Sequence, residues 1–150
     1  MAVSRRQEIV EALRTRLQAI HIAGGFQTDA GDTVLLGEVP TLGPDDPDTA
    51  LAMVMGDESV KQQGKSLTYL FPVGIQALAK TTSDEPWVAI EQMLADIIAA
   101  IELDDALIVG SIKFAIAAPT TRTLERESGS DTVGAMVIYP VTYSRSWGQA

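Results

Sequence analysis

Few side chains in this sequence have a type and spacing suited to chemistry. His21 is the only histidine, so neither a histidine pair nor a His-rich metal site can be built. Its place near the end of the first amphipathic segment suits a capping or surface role. The chain has no cysteine, which excludes a disulfide framework, thiolate ligation of a metal and a cysteine nucleophile. Asp45-Asp46-Pro47-Asp48 offers carboxylates to a divalent cation. However, Pro47 and the lack of a bidentate Glu at the right distance break the EF-hand spacing, so the segment reads as a loop. Asp84-Glu85 is a carboxylate pair, yet adjacent acids at a helix start serve the helix dipole. Gly24-Gly25 and Gly129 complete neither a GxGxxG nor a P-loop. No GxSxG elbow is present, and the serines have no histidine positioned to activate them. The residues therefore predict a protein that is not an enzyme and has no cofactor or metal site.

Composition narrows the class further. The 150 residues carry 11 Lys plus Arg against 20 Asp plus Glu, a net charge of −9. A protein that grips nucleic acid needs clustered cations, and this balance argues against one. Apolar residues make up 46% of the chain, too many for a disordered acidic tail. Aromatics are only 5%, so the core must rest on aliphatic side chains. No apolar run approaches the length of a membrane span, and Met1 to Gln7 lacks the apolar centre of a signal peptide. The expectation is one soluble intracellular domain over residues 1–150.

The charge is segregated along the chain. Arg5, Arg6, Arg14 and Arg16 stand against Glu8 and Glu11 in the first 20 residues. From Asp29 to Glu58 there are eight acids and no Lys or Arg, and from Asp84 to Asp105 seven acids and again no base. Basic residues return at Lys113, Arg122, Arg126 and Arg145. One surface can thus be strongly negative while another is locally basic.

The elements that must position these groups follow from periodicity. Ile9, Val10, Leu13, Leu17 and Ile20 make one helical stripe. Ser4 with Gln7 fits a capping box, and Gly24-Gly25 is the predicted stop. Arg5 and Arg6 lie in the first turn, where the dipole disfavours cations; a rule broken this way can mark a partner contact. Thr33–Leu36 and Ala50–Glu58 read as strands joined by the Pro-rich loop 38–48, followed by a turn at Gln62–Lys65. Leu67, Tyr69, Phe71, Val73, Ile75 and Ala77 alternate toward a core. Ser83-Asp84-Glu85-Pro86 opens a second helix with the stripe Ile90, Leu94, Ile97, Ile98 and Ile101, ended by Asp104-Asp105. A strand at Ile112–Ala117 comes next. A polar strand at Thr121–Glu127 then turns at Ser128–Asp131 into Val133–Tyr143, making a hairpin that should project. No internal repeat is visible. The order predicts an α+β fold: a mixed, largely antiparallel sheet, two helices on one face and a projecting β-hairpin.

Four blocks, in this order, resemble the tail terminator (tail completion) family of long-tailed bacteriophages, which includes the lambda-type minor tail protein U. They are the helix Ser-Arg-Arg-Gln-Glu-Ile-Val-Glu-Ala-Leu (4–13) and the turn and strand Gly25-Phe-Gln-Thr-Asp-Ala-Gly-Asp-Thr-Val-Leu-Leu-Gly37. The helix around Trp87 to Ile98 and Gly134-Ala-Met-Val-Ile-Tyr-Pro-Val-Thr-Tyr143 complete the set. The resemblance implies a homohexameric ring on the head-proximal end of the tail tube, assembled in the host cytoplasm and retained in the virion. Such a ring stops tube polymerisation, offers its far face to a neck or head-completion protein and lets DNA pass its lumen without specific binding. No catalytic residue is implied. On this reading Arg5, Arg6, Arg122 and Arg126, with Glu125 and Glu127, belong to protein contacts. Asp45, Asp46, Asp48, Asp57 and Glu58 belong to an acidic lumen or rim. The alternatives are another ring of the head–tail junction and, from a different class, a small ligand-binding domain.

Overall fold

The first helix forms where the apolar period requires it. Ile9, Val10, Leu13 and Leu17 are buried along one side of α1 (Arg5–Gln18), and Ser4 caps it by accepting the Gln7 amide at 3.1 Å. The computed structural model describes residues 4–37, 39, 41–82, 84–103, 108–109, 112–124 and 131–149, with backbone only at 108, 109, 112 and 113. α1 stops before the Gly24-Gly25 pair that was expected to end it. The amides of Ala19 and Ile20 turn back onto Arg16 and Leu17, and Gly31 donates to the Ile20 carbonyl at 3.0 Å. Ile20 thus joins the core from outside the helix, while Gly25, at φ 96°, closes a short 3-10 turn over Ile22–Gly24.

The remaining chain builds an α+β fold around one sheet of eight strands. These are β1 (Val34–Leu36), β2 (Thr49–Met55), β3 (Ser59–Gln63), β4 (Ser66–Lys80), β5 (Ile108–Val109), β6 (Ile112–Ile116), β7 (Thr120–Thr123) and β8 (Thr132–Ser146), with helix α2 (Pro86–Ile101) between β4 and β5. Among the described residues, β1 and β2 pair in parallel and the other pairings are antiparallel. β4 and β8 form a central ribbon that runs unbroken from Ser66↔Ser146 to Lys80↔Thr132.

The strand order β1-β2-β4-β8-β6-β5 reads alike from both edges apart from the outermost pairs, parallel for β1–β2 and antiparallel for β5–β6, with β3 extending β2's side of β4 and β7 extending β6's side of β8. The interruptions match as well. From Met55↔Val73 to Ser59↔Leu70 the outer side advances four residues against three on β4. From Ile116↔Val141 to Thr120↔Ile138 the same four pass against three on β8. A repeat invisible in residue identities is therefore present in topology. Two prolines explain the breaks. Pro72 lies opposite Pro140 in the ribbon, and their carbonyls accept the Gly56 and Ala117 amides from the outer strands. In an antiparallel strand the N–H and C=O of one residue point the same way. Each proline's missing N–H therefore faces outward, where the flanking strand bends away, as sheet prolines require.

Both helices pack on the face carrying the odd-numbered residues. Ile9, Leu13 and Leu17 of α1 and Ile90, Met93 and Ile97 of α2 share one core with Phe71, Val73, Ile75, Val137, Tyr139 and Val141. Val39 and Leu42, from the segment between β1 and β2, cover part of the other face, where they pack with Ala50, Ala52 and Leu78. The Val39 amide donates to Gln76 Oε1 and the Leu42 amide to Thr132 Oγ1.

Three further expectations need correction. Residues 59–63 form strand β3, so the turn expected at Gln62–Lys65 narrows to Gly64-Lys65; the strand's polar composition suits an edge exposed throughout. α2 begins with Glu85 at the N-cap, in the left-handed region at φ 44°, with Pro86 at the first helical position. Ser83, the predicted cap, lies outside the described residues. The helix ends at Ile101 with Glu102 as C-cap, before Asp104-Asp105, which also lie outside them. The arm β7 is exposed along its length, while the predicted hairpin tip at 128–130 is outside the described residues. Among the described residues, no helix is long and apolar enough to cross a membrane.

Candidate functional site

α1 carries its arginines to the sheet, and each one reaches a backbone carbonyl. Arg5 donates to Ser144, Arg6 to Gly56, Arg14 to Val34 and Arg16 to Ile101, the last at 2.7 Å on the C-terminal turn of α2. A cation there favours the helix dipole. Arg6 also forms an ion pair with Glu58 at 2.9 Å and lies over the Phe71 ring. The unfavourable charge in the first turn of α1 is thus offset by partners outside the helix.

Arg5 and Arg6 line a cleft of about 410 Å³ with Glu58, Tyr69, Tyr143 and Arg145. Strand alternation places Tyr69, Tyr143 and Arg145 on the helix-bearing face. The two tyrosine rings stack with centroids 5.1 Å apart, and Phe71 meets Tyr143 edge-on. Arg145 lies over the Tyr69 ring, donates to its hydroxyl and is tied to the Gln149 carbonyl at 2.8 Å. Tyr143 donates to Glu58 Oε1 at 2.7 Å. Burial, followed by that hydrogen bond to a carboxylate, raises the Tyr143 phenol well above its ordinary value. It therefore remains a neutral donor.

Chemically this is an anion-binding arrangement. Three guanidinium groups face one carboxylate among the described lining residues, and each is held by fixed partners. Carboxylates and phosphates pair with such planar forks, and partners already in place reduce the ordering cost.

The structure sorts the predicted site residues. It brings Arg5, Arg6 and Glu58 together, but as partners within one chain. Glu58 is paired with Arg6, and its side chain is 26% exposed. Asp57 is exposed in the bend between β2 and β3. Asp45, Asp46 and Asp48 are also exposed, but they lie on the opposite face, at the far end of the ribbon. There Lys80 donates through its backbone to Asp48 and through Nζ to the Asp46 carbonyl. The five acids assigned to a lumen or rim thus fall at two separated positions of the fold. Arg122 is exposed on β7 opposite Met136. Glu125, Arg126 and Glu127 lie outside the described residues. His21 occupies the N-cap position of the 3-10 turn without a side-chain capping bond, its Nδ1 lying 3.2 Å from Asp32.

Tyr69, Tyr143 and Arg145 were absent from the predicted site. A signal for Arg145 existed: it continues the inward parity of Val133 to Tyr143, where an ionised side chain needs a partner. Comparison of the chain with models of known protein families finds no match, and comparison with curated protein sequences finds none.

Proposed function

We propose that this chain is a structural ring protein of the tail terminator type. It would close as a homohexamer on the head-proximal end of a phage tail tube, end polymerisation there and present its far face to a neck protein. The observation that carries the reading is the pair of exposed edge strands, β3 and β7, on opposite sides of the β4–β8 ribbon. Open edges invite pairing with another chain. Edges facing opposite ways favour head-to-tail contacts, which close into rings when the rotation allows. A net charge of −9 suits a channel wall past which DNA slides without adhering.

The test is electron microscopy of lysates from phage lacking the protein. Overlong tails without heads are the expected result. Full heads beside free tails of normal length would assign the protein to the neck instead.

A further inference from the structure

We propose that the arginine–tyrosine cleft is the acceptor for loop 44–48 of a second copy of this chain. The inference rests on the ring reading and names its contact.

The argument is one of charge and position. Arg5, Arg6 and Arg145 concentrate positive charge in a chain with nearly twice as many acids as bases. The loop Pro44-Asp45-Asp46-Pro47-Asp48 is exposed throughout, and its carboxylates complement the positive charge that Arg5, Arg6 and Arg145 leave in excess over Glu58. The two sites cannot satisfy each other within one molecule. Tyr69 marks the cleft on β4, and Lys80, which holds the loop, lies eleven residues further along the same strand. At about 3.3 Å per residue the separation is roughly 36 Å, with the loop on the other face of the sheet. A positive site at one end and a negative site at the other define a heterologous contact that each copy repeats with the next.

Both partners are organised before they meet. The loop is pinned by the Gly43 amide on Asp46 Oδ2 at 2.6 Å and by Leu42 on Thr132. The arginines are pinned by Ser144, Glu58, Tyr69 and Gln149. Little conformational freedom remains to be lost on contact. Asp45, whose neighbours tie down the loop on either side, is the leading anion for Arg145.

The absence of cysteine makes the contact testable in the full-length protein. Pro44→Cys and Gln149→Cys place one thiol on the loop and one on the cleft's lip. Oxidation of the double variant should yield a ladder of cross-linked multimers reaching the ring, whereas each single variant should stop at dimers. Arg145→Glu or Asp45→Arg, introduced into that background, should each lower the multimer yield about tenfold, and combining them should restore it. Arg5→Glu, read beside its circular dichroism spectrum, replaces Arg145→Glu if the latter misfolds. A double-cysteine variant that stays monomeric, a product that ends at dimer, or failure of the charge swap to rescue would each overturn the contact. A missing ladder combined with overlong tails in lysates lacking the protein would reject this contact and leave the ring reading standing. A ladder with tails of normal length would do the reverse.

Discussion

Asp96 shows how one polar residue can hold a non-helical segment in place. It is buried to 3% exposure on α2 and accepts three hydrogen bonds, from the Gln27 and Thr28 amides and the Thr28 hydroxyl, at 2.7–3.0 Å. Asp96→Ala would leave those donors without an acceptor. The expected loss is about 3 kcal/mol, read as a lower denaturant midpoint at unchanged slope. Tyr139 supplies a second residue-scale prediction. Burial first, then the nearby Glu102 charge and its hydrogen bond, raise its phenol far above the ordinary 10.0. A folded-state value above the unfolded one contributes stability that is complete below pH 10 and declines as pH rises beyond it. Tyrosinate absorbance from Tyr139 and Tyr143 should therefore appear together with unfolding, and Tyr139→Phe should flatten the decline in stability above pH 10.

At the scale of elements, close approaches decide which positions tolerate a side chain. A Cβ on Gly31 would lie 2.7 Å from the carbonyl oxygens of Leu17, Gln18 and Ile20. These are the last carbonyls of α1 and its exit, and backbone cannot step aside. Gly31→Ala should cost about 3 kcal/mol in a thermal or urea melt. A Cβ on Gly74 would meet the Met136 sulfur at the same 2.7 Å, but a flexible thioether can rotate away, so Gly74→Ala should cost only about 1 kcal/mol. Both helices and the two long strands were legible in the sequence because periodicity reports burial directly: Ile9 to Leu17, Ile90, Leu94, Ile97 and Ile101, and the alternating positions of Leu67 to Ala77 and Val133 to Tyr143 face the core, while Ile98, expected in the same helical stripe, is exposed. β3 was not legible. Ser-Val-Lys-Gln-Gln buries nothing on either face, so no alternation marks it, and only the backbone ladder with β4 makes it a strand.

At the scale of the molecule, the near-palindromic sheet gives two ends of different character. One carries the arginine cleft and the exposed β3 edge; the other carries the acidic loop and β7. Self-association through the cleft and the loop would be electrostatic, so raising the salt from low to physiological ionic strength should shift the protein toward monomer. Light scattering across a salt series would measure this, and an assembly indifferent to salt would argue for contact through the strand edges alone. The cleft was half legible. Arg5 and Arg6 stood out because they oppose a helix dipole, but their backbone partners Ser144 and Gly56 are 139 and 50 positions away.

The sequence by itself determined the α+β class, the common face of the two helices and the lack of material for thiol or histidine-pair chemistry, because composition and local period are properties of neighbouring residues. Tertiary structure alone decided the register that sets Pro72 against Pro140, the ion pair between Arg6 and Glu58 and the distance between cleft and acidic loop. Those depend on backbone hydrogen bonds and charges meeting across the fold, and no local pattern of side chains encodes which partners will meet.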